Sequence, residues 1–206
     1  MSFKKLDPFD YPKGKKQPRY YDIDNVVCFF DVVGFTKSTT NQEMKRIISK
    51  IEDDLEELLW EDYNWHELRK RNDLILIPTG DGYGIGFHPT LHNDKILIII
   101  TELYKRLVKG NVFKIRMGIA KGANIRHLDW NEHVNLFGYG INLASRVMSV
   151  AEPNQILVHA DYAEELKQIK DHPELTKVER PKEINHGGHI MVYNMHRGNE
   201  FGIAAK

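Results

Sequence analysis

The 206-residue chain predicts an α+β domain of the ferredoxin-like, split βαβ type, with a mixed antiparallel sheet and helices on one face. Three observations predict it. Strand and helix signals run in the order β-α-β-β-α-β. A strand buried on both faces opens the series. A tight glycine-rich hairpin sits at its centre. The apolar share of 41% is enough for one core, and this length suits a single domain.

Residues 1–22 read as a basic, poorly ordered arm. Lys4, Lys5, Lys13, Lys15, Lys16 and Arg19 outweigh Asp7 and Asp10, with Pro8, Pro12 and Pro18 interleaved. The domain proper is assigned to 23–206. Its first element is DNVVCFFD (24–31), a continuous apolar run that ends in an acid, as a central strand would. Residues 32–40 read as a turn leading into helix caps. Met44, Ile47, Ile48, Ile51, Leu55, Leu58 and Leu59 then form one apolar stripe at helical spacing. Residues 74–78 are a strand closed by Pro78, 79–82 (Thr-Gly-Asp-Gly) a hairpin turn, and 83–87 the returning strand. Residues 94–108 form a second amphipathic helix, because Leu103, Leu107 and Val108 extend an apolar run at helical spacing. KIRMGIAK (114–121) alternates as a strand does, and 138–150 is helical after a Gly-rich entry. A strand at 155–159, a helix at 161–168 and strands near 176–180 and 189–195 complete the chain.

Bulk properties exclude several partners. Lys+Arg and Asp+Glu balance at 29 each, so no global field draws the chain to nucleic acid or to an anionic membrane. The single cysteine, Cys28, allows no intrachain disulfide and lies in the first strand, where a core role is expected. The N-terminus lacks the apolar segment of a signal peptide, and Ile96–Ile100 is far too short to span a bilayer. A cytoplasmic location is expected.

Two acids stand out by position. Asp31 ends the first buried strand, and Asp81 sits in the central hairpin turn. In this topology those two points are neighbours. Alone, Asp31 reads as a cap and Asp81 as turn chemistry. Together they would repel unless a cation lay between them, and hard oxygen ligands suit Mg²⁺ or Mn²⁺. Two such ions can clamp a triphosphate for in-line attack. Gly34-Phe35-Thr36 follows Asp31 directly and is expected to open a helix whose free N–H groups bind phosphate. Asn142 and Arg146, four residues apart, share a helix face, and Arg suits the charge on a transferring phosphoryl group. His186 and His189 have no acid or Cys nearby and read as surface or turn residues. Trp60 and Trp65 are expected to pack the end of the first helix.

FFDVVGFT, TGDGY, KIRMGIAKG and FGYGINLASR stand in this order across roughly residues 24–160. Together they resemble the catalytic domain of class III adenylate and guanylate cyclases. The resemblance implies the class III cyclase fold and a head-to-tail homodimer. It implies that Asp31, Asp81 and the carbonyl of Val32 hold two Mn²⁺ or Mg²⁺ ions per site. It also implies that Asn142 positions the ribose and that Arg146 stabilises the transition state at the α-phosphate. One subunit gives the acids and the other gives Asn142 and Arg146. The polar stretch 122–136 matches the arm that reaches across the dimer. A polymerase palm or diguanylate cyclase shares the topology, but the GGDEF-type hairpin is missing.

The chain departs from the family at the base. Four residues before Asp81, where purine cyclases carry Lys or Glu, stands Ile77. Seven residues before Asn142, where adenylate cyclases carry Asp, stands Asn135. Ile77 forms no hydrogen bond to a base edge, and Asn135 is uncharged. Tyr139 replaces the smaller Asn of many purine enzymes. The short chain and this pocket resemble the bacterial Pycsar antiphage cyclases. That resemblance implies UTP, or else CTP, as substrate and a cyclic monophosphate read by a separate effector protein. Two other readings stay open: a purine cyclase with an atypical pocket, and an inactive cyclase-like nucleotide-binding module.

Overall fold

The computed structural model describes residues 20–35, 40–62, 74–129, 133–179, 181–183, 188–198 and 200–203, with backbone only at 60–62. Thr36, Trp65, His186, the Trp60 side chain and residues 1–19 of the arm lie outside the described residues. The first strand, β1, runs Tyr20–Val32, so Tyr20–Asp22 belong to the sheet and not to the arm. Helix α1 (Asn41–Glu56) continues into a π-helical turn, Glu57–Asp62. The hairpin β2 (Leu74–Pro78) and β3 (Gly82–Phe87) comes next, followed by helix α2 (Asn93–Val108). Strands β4 (Ile115–Leu128) and β5 (Val134–Gly138) lead into α3 (Tyr139–Ser149). The remainder is β6 (Ile156–His159), α4 (Ala160–Leu166), β7 (Glu174–Lys177), β8 (Lys182–Glu183), β9 (His189–Ile190) and β10 (Val192–His196).

The main sheet has the order β2-β3-β1-β4-β6-β10-β7, and β5 folds back on β4. β3 runs antiparallel between β2 and β1, which is the split βαβ arrangement expected from the sequence. β4 is antiparallel to β1 but parallel to β6, so the sheet is mixed. β8 and β9 form a separate two-stranded ribbon, and His189 is exposed on it. The polar stretch after residue 121 lengthens β4 and turns back through β5, with Leu128 opposite Val134.

Helices cover both faces of the sheet, not one as expected. Successive side chains of a strand point to opposite faces, so a strand apolar at every position needs cover on both. Val26, Cys28, Phe30 and Val32 pack with Ile51 and Leu55 of α1, with α2, and with Tyr162, Ala163 and Leu166 of α4. Val27 and Phe29 pack with Leu143, Ala144 and Val147 of α3. Burial pushes the Cys28 thiol up to about 12, which keeps it protonated and unreactive, as a core residue.

Thr40 caps α1, its hydroxyl accepting from Glu43 N at 3.2 Å. The apolar stripe of α1 faces the core except at Ile48, which is exposed. In α2 the ambiguous apolar run resolves as helix: Ile96, Leu97, Ile99, Ile100, Leu103 and Leu107 are buried, while Ile98 is exposed. Leu103 is fully buried in the larger cluster. Leu103→Ala is expected to destabilise the domain by about 2–5 kcal/mol, read as a lower urea midpoint with an unchanged slope.

Candidate active site

The site starts from strand register. Asp31 pairs across the sheet with Gly82 of β3 on one side and with Arg116 of β4 on the other. The β2–β3 turn folds over this strand end: Val32 N donates to the Asp81 carbonyl at 2.9 Å, and Thr79 N donates to the Gly82 carbonyl at 3.0 Å. The backbones of Asp31 and Asp81 therefore lie side by side at this strand end. Gly82 makes the approach possible. A Cβ there would lie 1.9 Å from the Phe30 carbonyl oxygen, which is backbone and has no room to yield.

Asp31 is 4% exposed, and both its carboxylate oxygens are engaged. Arg116 Nε donates to Oδ1 and Nη2 to Oδ2, each at 2.7 Å, in a planar two-pronged pair. Arg116 Nη1 also donates to the Ser149 carbonyl at 3.3 Å. The hydrogen bonds that Arg116 donates to Asp31, aided by the charges of Asp31 and Asp81, push the Arg116 pKa further up, so the guanidinium stays charged. Sequence reasoning missed Arg116. Its signal was the place of this Arg in KIRMGIAK, on a strand alternating beside the acid-tipped one.

Phe35 takes a 3-10 helical conformation directly after Gly34. Gly34 takes a left-handed turn conformation (φ +78°), Phe35 is buried beneath it, and α1 begins only at Asn41. The positive φ explains the glycine.

Asn142 and Arg146 lie on the exposed side of α3, and Leu143, Ala144 and Val147 lie on its buried side. Among the described residues neither polar side chain has a hydrogen bond or ion pair. Within one chain the acids are thus served by Arg116 and not by Arg146. Position and tilt of α3 come from two devices. The Asn124 side chain accepts from Ile141 N at 2.9 Å and donates to Asn25 Oδ1 at 2.8 Å, tying the helix start to β4 and β1. This buried Asn pair gave no motif in the sequence. Further along, Gly118 lets the helix backbone rest directly on β4. A Cβ there would meet Met148 N at 2.0 Å and the Ala144 carbonyl oxygen at 2.6 Å.

Of the three base-pocket candidates, Ile77 packs in the cluster that holds Ile75, Leu136 and Val134. Asn135 alternates away from that cluster, stands opposite His127, and its Oδ1 accepts from Leu136 N at 2.9 Å. The structure brings Leu136, and not Asn135, into Ile77's cluster. Tyr139 is exposed at the start of α3.

The donor set suits a divalent ion. Two carboxylates and backbone carbonyls are hard oxygen donors. No group of three or more His, Cys, Asp or Glu lies together among the described residues. Few protein ligands, completed by phosphate and water, are what Mg²⁺ accepts. No helix among the described residues is long and apolar enough to cross a membrane.

Comparison with known proteins agrees with this geometry. Residues 92–197 match the family described as the adenylate and guanylate cyclase catalytic domain. An adenylate cyclase of Streptomyces coelicolor is 28% identical over 151 residues, covering 71% of this chain and 35% of its own length. The chain therefore spans about a third of that curated relative. In structure it resembles the guanylate cyclase domain of RhGC from Catenaria anguillulae, solved with GTP, with a TM-score of 0.66, 20% identity and coverage of 86% and 98% of the two chains. It also resembles the adenylyl cyclase CyaB from P. aeruginosa, with a TM-score of 0.66, 14% identity and coverage of 89% and 99%. With just over half of its length matched by the family, its fold shared with solved cyclases and its acids joined at the end of β1, the chain belongs to the adenylate and guanylate cyclase catalytic-domain family.

Proposed function

We propose that this domain is a class III nucleotidyl cyclase that converts a pyrimidine nucleoside triphosphate, UTP before CTP, into the 3′,5′-cyclic monophosphate and pyrophosphate. The observation that carries the cyclase reading is the meeting of Asp31 and Asp81 at one strand end in a chain of this family. Asp31, Asp81 and the Val32 carbonyl would hold two Mn²⁺ or Mg²⁺ ions, which when bound supply charge neutralisation of the triphosphate and activation of the 3′-hydroxyl. Gly34, Phe35 and Thr36 would supply backbone amides to the phosphates. Asn142 orients the ribose, and Arg146 meets charge that develops at the α-phosphate. The ribose 3′-oxygen attacks the α-phosphorus, and pyrophosphate leaves.

Asn142 and Arg146 point outward on α3, which supports a head-to-tail homodimer in which they serve the partner's acids. The chain also exposes aromatic side chains: Tyr20, Phe137 and Tyr139 are each more than half exposed, and His127 lies tilted against Tyr20 (5.5 Å) and edge-to-face with Phe137 (4.5 Å). Such side chains suit burial against a second copy.

The pyrimidine reading is supported by Ile77, an apolar side chain where a purine edge needs a polar partner. With the resemblance to Pycsar enzymes, it makes the product a messenger in antiphage defence, read by a separate effector. The test is incubation with each of the four ribonucleoside triphosphates and Mn²⁺, with products identified by mass spectrometry. UTP is expected to give the most cyclic product. A wide preference for ATP or GTP overturns the pyrimidine reading, and no cyclic product from any of the four overturns the cyclase reading.

A further inference from the structure

Arg116 has no part in the chemistry described above, yet it occupies both oxygens of the buried Asp31 carboxylate. We propose that Arg116 is a positioning residue that acts as a resident counter-cation: it holds the Asp31 carboxylate oriented, and it weakens capture of a divalent ion that arrives without its triphosphate. The proposal rests on the reading of Asp31 as a metal ligand.

Three observations support it. The pair is two-pronged, with both bonds at 2.7 Å, so each Asp31 oxygen has already spent one lone pair on Arg116. Arg116 and Asp31 are direct partners in the β1–β4 register, and Arg116 Nη1 is also tied to the Ser149 carbonyl, so the guanidinium is anchored and not a wandering surface charge. Asp81, the second acid, is close enough to raise the pKa of the same guanidinium. A divalent ion entering between Asp31 and Asp81 therefore meets a fixed positive charge within the same site, and like charges at such range repel. A triphosphate supplies the negative charge that offsets that repulsion. The device favours arrival of metal and nucleotide together over metal alone.

The same residue links two functions along one chain. Ser149 ends α3, the helix that presents Asn142 and Arg146. In the homodimer those side chains belong to one site and Asp31 to the other. Arg116 thus joins the acid half of one site to the polar helix of its twin by direct hydrogen bonds.

The test measures Mn²⁺ binding by the full chain without nucleotide, following the free-ion signal by electron paramagnetic resonance. Arg116→Gln removes the charge and keeps a similar reach. It is expected to bind Mn²⁺ about tenfold more tightly than wild type. General structural damage would weaken binding, so a gain is specific to the counter-cation role. Unchanged or weaker binding overturns the proposal. Should the Gln variant fail to fold, Arg116→Met carries the same test: it also removes the charge at a similar side-chain length, and a similar affinity gain is expected, with no gain overturning the proposal. Asp31→Ala is measured alongside. If it binds Mn²⁺ as wild type does, it is the metal reading of Asp31 that fails. If it loses binding while the Arg116 variants show no gain, the counter-cation role alone fails.

Discussion

Asp31→Ala and Arg146→Ala are each expected to reduce cyclic nucleotide formation by about a thousandfold or more, and a mixture of the two inactive proteins is expected to recover activity. The size of the single losses follows from what each group does. In the proposed site, removing Asp31 would take away one of the two carboxylates that hold the divalent ions, and it would leave Arg116 as an uncompensated charge in a half-buried place. Removing Arg146 takes away the one cation on the exposed face of α3 that is placed to meet charge on the α-phosphate, and groups of that kind are worth about 10³–10⁵ in turnover. Recovery on mixing follows from symmetry. Subunits that exchange freely make heterodimers in which one site carries both lesions and the other carries none, so about a quarter of all sites are intact at equal concentrations. The measurement is product per enzyme across mixing ratios, with a maximum near equality. A flat line at zero would show that each chain builds its site from its own residues, against the shared-site homodimer.

Gly118→Ala is expected to lower both the stability and the activity of the domain. The new Cβ would stand 2.0 Å from Met148 N and 2.5 Å from Met148 Cα. Both are backbone atoms of α3, so no side-chain rotation relieves the clash. The helix must lift from β4 or the strand must bend. Overpacking of this kind costs about 1–3 kcal/mol and can exceed it, which in a domain of this size lowers the melting temperature by roughly 2–12 °C. Activity is expected to fall further than stability. α3 carries Asn142 and Arg146 and is held at its start by Asn124, so a lift at Gly118 pivots the helix and moves both side chains. A displacement of about 1 Å in a positioning group costs on the order of a hundredfold in rate. Circular dichroism melting and turnover measured on the same preparation separate the two effects. Wild-type turnover with a normal melting temperature would show that α3 does not rest on β4 as described.

Much of this architecture is legible in the sequence because it depends on local rules. The run Val26–Phe30 is apolar at successive positions, which marks a strand buried on both faces. The stripe of α1 and the Leu103–Leu107 spacing of α2 mark helices. Pro78 and Gly80-Asp81-Gly82 mark the hairpin, and the order of these elements is enough for the split βαβ sheet. The acids Asp31 and Asp81 were visible for the same reason: both stand at positions that the topology makes adjacent. Other features escaped. The same apolar run that marks β1 as doubly buried requires a helix on each face, but which helix crosses over depends on the close contact of Gly118 with Met148.

What the sequence by itself determined is most of the elements, though not β5, together with their order and the identity of the chemical groups, because backbone propensity, side-chain period and turn chemistry act over a few residues. What only the tertiary structure decided is which groups touch. Residues 85 positions apart, Asp31 and Arg116, become a two-pronged ion pair only through the β1–β4 register. Residues 99 apart, Asn25 and Asn124, tie helix α3 to the sheet through the same register. A one-residue slip would turn every one of these side chains to the opposite face, so the pairing of strands, and not the local sequence, places the cations and amides that serve the site.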